Sequence, residues 1–304
     1  TRVRSSAASD VYKRQLLNRA NVSAMLKETI SNWSADRVPS LGAALAYYTM
    51  FSVAPLLVIA IAVVGVVFGT EAAQSSIMQE IGGVLGNNGV QAIQTMLQSA
   101  HKPGVGTVAG IVGVVALLLG ASGVFGELQD ALKAIWHVPS THATLWQKLK
   151  NRFVSYGMVL GVGFLLLASL LLSAGLAVAG KFFSGFLPFS EVLLQVLTFV
   201  VSFIVVTVLF ALIFKVLPEV PVPWTDVWAG ALFTGVLFEV GKEALGIYLG
   251  KSSMASAYGA ASSVVVLMAW VYYAAQILYF GAEFTRTYAA RRGHNPQRQQ
   301  MRSH

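Results

Sequence analysis

The chain contains six stretches that stay apolar for roughly the depth of a bilayer: Leu41–Gly69, Val105–Phe125, Phe153–Gly180, Val192–Phe214, Val227–Leu249 and Ser262–Ala282. A spanning helix needs roughly 20 mostly apolar residues, because hydrocarbon offers no partner to an unpaired backbone group. Runs such as Leu56-Leu57-Val58-Ile59-Ala60-Ile61-Ala62-Val63-Val64 lack the alternation of a barrel strand and are apolar all round. The pattern therefore predicts an all-α polytopic bundle of about six transmembrane helices. Only the fifth run carries charges within its length, at Glu239, Lys242 and Glu243.

The polar segments divide the chain. Residues 1–15 have no helical period, resemble an adapter-derived tail, and are read as a non-native or disordered extension. Residues 16–40 form a lead-in, in which Leu26, Ile30 and Trp33 predict the apolar face of an amphipathic helix on the cytoplasmic surface. Residues 41–289 are the transmembrane domain, and 290–304 a basic cytoplasmic tail. No charged-then-apolar leader precedes Leu41, so the first span is expected to act as the insertion signal. Between the first two spans, 72–81 and 90–100 have helical spacing around Gly82-Gly83 and Gly86-Asn87-Asn88-Gly89, which predicts an external helical hairpin. Trp136 and Trp146 read as interface anchors, and Thr225 or Asp226 as the N-cap of the fifth span.

Composition agrees with the pattern. Of 304 residues 56% are hydrophobic and 11% charged, against about 25% charged in soluble domains. There is no cysteine, which removes disulfides and Cys-ligated metal sites. Of the 21 Lys and Arg, only Lys102, Lys181, Lys242 and Lys251 fall on or near one side of the predicted bundle. The rest lie in the N-terminal segment, the second and fourth connections and the C-terminal tail. Such asymmetry places both termini in the cytoplasm of a bacterial inner membrane. Facing anionic lipid, the basic segments account for the net charge of +8 without a nucleic-acid partner.

Charges at membrane depth cost at least about 2.5–3.5 kcal/mol each on insertion scales. Glu239, Lys242 and Glu243 share one helix face in the outer half of the membrane. They form either an ion-paired knot or the polar lining of a substrate or ion path. Pro55 interrupts the first span and frees the Phe51 carbonyl, with Thr49 and Ser52 placed to satisfy it and Tyr47 and Tyr48 just below. A broken helix with polar neighbours suits a transport site and equally a packing kink. Glu127, Asp130 and Glu283 read as solvated charges at the cytoplasmic interface, paired locally with Lys133 and Arg286. The five histidines all lie outside the spans. With no phosphate-binding loop, His-Glu-x-x-His pair or nucleophile elbow, neither an enzyme nor a cofactor or metal is expected.

Several ordered motifs resemble the YihY/BrkB family of bacterial inner-membrane proteins. They are Leu41-Gly-Ala-Ala-Leu-Ala-Tyr-Tyr-Thr-Met-Phe-Ser-Val-Ala-Pro55, Gly120-Ala-Ser-Gly-Val-Phe-Gly-Glu-Leu-Gln-Asp130, Trp224-Thr-Asp-Val-Trp-Ala-Gly-Ala, Phe238-Glu-Val-Gly-Lys-Glu, Tyr258-Gly-Ala-Ala-Ser-Ser and Phe280-Gly-Ala-Glu-Phe-Thr285. The resemblance implies about six membrane helices and a poorly defined activity. Some members carry virulence or serum-resistance labels, and an older label, ribonuclease BN, finds no ribonuclease chemistry in this sequence. The reading is a transporter or flippase-like permease in the lipid bilayer, with a small-molecule or lipid substrate and no ATPase motif of its own. A homo-oligomer is compatible with it. The rival is a non-transporting scaffold for envelope assembly or resistance.

Overall fold

The computed structural model describes residues 19–72, 74, 75, 77–79, 82, 90, 91, 93, 94, 123–138, 190–251 and 262–294. Among them every regular element is helical. Helix α1 is Arg19–Ala35, α2 Val38–Phe68, and α3 covers 123–135. They are followed by α4 (Ser190–Val216), α5 (Trp224–Lys251) and α6 (Ser262–Arg291). Four of the six apolar runs thus coincide with long helices. The third run, most of the second and much of the expected hairpin lie outside the described residues. Those described between 70 and 94 are helical, and Gly82 stands against Val90. Among the described residues, Phe199–Val216 and Val264–Arg291 are long and apolar enough to cross a membrane.

Helix α6 is the centre of the bundle and packs on α5, α2 and α1, while α5 packs in turn on α4. The α5–α6 seam is reciprocal. Gly230 makes room for Thr285 and Gly281 for Thr234, each threonine hydroxyl donating at 2.7 Å to the carbonyl of the glycine four residues before it in its own helix. Because 230 meets 285 and 234 meets 281, the two helices run antiparallel, and that register puts Glu239 at about the depth of Gln276.

Large apolar side chains point outward. On α5, Trp224, Trp228, Leu232, Val236 and Val240 form an exposed ridge at four-residue spacing, and Val196, Phe199, Val200 and Ile204 do the same on α4. The buried positions include Asp226, Thr234, Glu239, Glu283 and Thr285. The interior is otherwise apolar, and apolar ridges exposed beside buried polar groups suit helices whose surroundings are hydrocarbon.

At about 1.5 Å per residue, the 30 residues of α6 exceed a hydrocarbon core of about 30 Å. Its C-terminal turns continue along α1, which runs antiparallel to them. Glu28 pairs with Arg291 at 2.6 Å, Asn32 meets Thr287 at 3.4 Å, and Asp36 pairs with Arg286 at 2.9 Å. The buried face of α1 is therefore Met25 and Thr29, flanked by Trp33, and Ile30 is exposed. The apolar spacing concerns a face against the membrane surface and does not show this protein-facing side, which the polar contacts with α6 define. Trp136 is not an interface anchor: it is buried in the core with Leu132, Ile135 and Phe214.

Candidate functional site

The charged face of α5 is assembled by one local pair. Lys242 Nζ donates to Glu239 Oε2 at 2.7 Å, an i, i+3 contact that neutralises a carboxylate only 8% exposed. Glu243 is exposed and has no ion-pair partner among the described residues. Glu239 lies one turn beyond Gly235, whose backbone faces Phe203 and Thr207 of α4.

On α2, Tyr47 and Tyr48 are exposed and stack edge-on with each other, and Tyr47 does so with Phe51. Ser52 is fully buried. Thr49 donates to the Leu45 carbonyl at 2.8 Å and Ser52 to the Thr49 carbonyl at 3.2 Å. Both hydroxyls thus bond carbonyls earlier than the Phe51 carbonyl that Pro55 frees. The backbone at Pro55 is helical, within α2. Helix α6 stands between α2 and α5, so among the described residues the aromatic face and the charged face belong to different sides of α6.

The densest polar assembly lies where the N-terminal segment, the second and fourth connections and the C-terminal turns meet. Three residues without glycine's freedom adopt positive φ there: Arg37 at 52°, His137 at 50° and Glu219 at 55°. Each such residue costs about 1–2 kcal/mol, and two of the three have anchored side chains. His137, which ends α3, bonds Asp36 at 2.9 Å. Glu219, after α4, accepts from Gln129 at 2.7 Å and pairs with Lys133 at 3.3 Å. Lys133 therefore reaches across to the fourth connection rather than back to Glu127 or Asp130 on its own helix.

Arg286 is the hub. Its guanidinium pairs with Asp36 and with Glu283, both at 2.9 Å, donates to the Ile135 carbonyl and approaches His137 at 3.1 Å. The i, i+3 pair of Glu283 and Arg286 matches expectation, but its setting does not. Glu283 is wholly buried rather than solvated, and the contact with Arg286 lacks hydrogen-bond angles. A second clamp closes α5 onto the end of α6. The buried Asp226 carboxylate takes Arg292 at 2.9 Å and His294 at 2.8 Å, and so it serves as a tie rather than a simple cap. The sequence pattern gives no sign of Asp36, His137, Arg292 and His294, nor of the contacts Arg286 makes beyond Glu283. All lie in polar segments where charge is ordinary, and their partners are up to 250 residues away. Among the described residues no group of His, Asp and Glu is placed to hold a metal.

Burial alone would raise the Asp36 carboxyl. Hydrogen bonding to Glu283 and His137, with the charges of Arg286 and His137, outweighs burial and holds it below its ordinary 3.8. Its folded pKa is depressed, so the stability it contributes is present above 3.8 and lost as pH falls through the lower folded value. Acid titration of thermal stability should show this loss, and Asp36→Asn should flatten it. An unchanged profile in the variant would remove Asp36 from the lock. At Glu127, burial and the neighbouring Asp130 charge push the carboxyl up.

Comparison with known proteins places this architecture. The signature of the family described as Virulence factor BrkB matches residues 29–304. A UPF0761 membrane protein of Glaesserella parasuis is 26% identical over 202 residues, covering 64% of each chain. Proteins of the same name from Pseudomonas aeruginosa and Stenotrophomonas maltophilia are 28% identical, covering 81% and 84% of this chain and 58% of their own. The chain thus spans about three fifths of the length of these relatives. No solved structure matches. With a signature over nearly its whole length and apolar ridges on the outside of its bundle, the chain belongs to the YihY/BrkB family of membrane proteins.

Proposed function

We propose that this protein is a flippase-like permease of the bacterial inner membrane, with about six spans, both termini cytoplasmic and no ATPase of its own. The observation that carries the reading is the uneven charge on α5. Glu239 is buried and neutralised by Lys242, while Glu243 beside it is exposed and unpaired among the described residues. A lock between helices needs only the pair. An additional carboxylate in the outer part of the span is costly wherever lipid faces it, and its place on the bundle surface suits contact with a polar headgroup. The gathering of basic segments at one end supports a cytoplasmic assignment for that end.

The test is reconstitution in liposomes carrying a fluorescent phospholipid, with a membrane-impermeant reductant quenching the outer leaflet. Wild-type protein should expose the inner-leaflet dye to quenching, and Glu239→Gln and Glu243→Gln should slow this severalfold at equal incorporation. Equal rates in wild type and both variants would sink the role of this face. No transfer by wild type, with an envelope partner that still co-purifies with both variants, would establish the scaffold instead.

A further inference from the structure

Gln276, Tyr279, Glu283 and Arg286 recur at three- and four-residue intervals, so they form one face of α6. This face turns toward α2 and α3. Gln276 Nε2 donates to the Val38 carbonyl at 3.4 Å and presses on Gly42, Glu127 is within electrostatic reach of Tyr279, and Arg286 bonds Asp36 and the Ile135 carbonyl. Along it, buried polar atoms lack a well-aligned hydrogen bond among the described residues: Gln276 Oε1, the Tyr279 hydroxyl, both Glu283 oxygens (one of them 2.9 Å from Arg286) and, from the α3 side, Trp136 Nε1. Folded proteins leave very few such atoms unsatisfied, since each costs about 1–3 kcal/mol when dry.

The chemistry of these atoms selects the occupant. A metal ion would suit the carboxylate and amide oxygens but not the indole N–H or the adjacent Arg286 guanidinium. An anion would meet Glu283, Glu127 and Asp36. Water alone both donates and accepts, and it typically fills polar sites with two to four partners. From the geometry we infer that a file of internal water lies along this face of α6, reaching about 15 Å from the Asp36–His137–Arg286 cluster to Gln276, and that Glu283 binds an exchangeable proton within it. A protonated Glu283 can donate to Asp36, which an ionised one cannot. When the proton leaves, it passes to the adjacent water and out past the half-exposed His137 ring. Another returns by the same file, and no other bond changes. This holds whatever the protein transports.

Two measurements on the full-length protein in lipid nanodiscs test it. Infrared difference spectra between H2O and D2O should show a protonated-carboxyl band that shifts within minutes of exchange. Glu283→Gln should abolish this band, whereas Thr207→Val, which removes a hydroxyl on the α4–α5 seam that has no hydrogen bond among the described residues, should leave it unchanged. Independently, Tyr279→Phe should lower the melting temperature, because a hydroxyl bonded to water is lost. In a dry site the same change relieves an unsatisfied group, so a higher melting temperature would overturn the water file. A band that is absent, or that persists in Glu283→Gln, would overturn the proton site.

Discussion

Gly230→Leu and Gly281→Leu are each expected to unfold the α5–α6 seam. A Cβ on Gly230 would lie 1.8 Å from the Thr285 hydroxyl oxygen, and one on Gly281 would lie 1.9 Å from that of Thr234. Both hydroxyls are committed to carbonyls of their own helices and cannot rotate away without losing a buried hydrogen bond. Overpacking of this kind costs about 1–3 kcal/mol and sometimes more. Here the helices must separate along a contact that polar backbone and small residues hold at close range. A loss of about 3 kcal/mol corresponds to a fall of order 10 °C in Tm, readable in the fluorescence of the six tryptophans. The informative variant is the exchange Gly281→Thr with Thr234→Gly. The seam is reciprocal, so moving the bulk to the other helix should restore most of what Gly281→Thr alone destroys. Additive losses in the double variant would show that the interlock is not what sets the spacing.

The same seam shows what was legible in the sequence. Apolar runs define long helices because a spanning segment has to satisfy its backbone internally, a constraint that each segment meets alone. Hence α2, α4, α5 and α6 were expected nearly where they lie, and the i, i+3 pairs Glu239–Lys242 and Glu283–Arg286 could be read from spacing. The face a helix buries is set by its neighbours instead. The spacing of Leu26, Ile30 and Trp33 does not show that Thr29 faces protein, which it does because α1 lies along the polar end of α6. Lys133 had two acidic residues on its own helix and chose Glu219. His137 and His294 had no local reason to be noticed, because Asp36 and Asp226 reach them only after the bundle has closed. The spacing also left Glu283 in water, whereas the fold surrounds it. Local pairs are legible and long-range ones are not, since antiparallel register appears only with packing.

Arg286→Met should be the most damaging change at the basic end. The wild-type guanidinium contacts Asp36, Glu283 and the Ile135 carbonyl at once, tying the α1–α2 corner and the end of α3 to α6. Removing it strands the Asp36 carboxylate, 16% exposed, beside the wholly buried Glu283 carboxyl, and frees a carbonyl as well. Breaking a buried ion pair from one side costs about 3–5 kcal/mol, because the surviving charge stays desolvated. Arg286→Lys should recover little of this, since an ammonium cannot span three acceptors as a planar fork does. Two rescues separate charge from shape. Adding Asp36→Asn to Arg286→Met should restore part of the lost stability by removing the stranded charge. Lowering the pH should narrow the gap between Arg286→Met and wild type, because protonating Asp36 removes the stranded charge in the variant while it weakens the wild-type pair. Were the two proteins to lose stability in parallel on acidification, the loss in Arg286→Met would come from missing packing, and the carboxylates would not be what the arginine holds together.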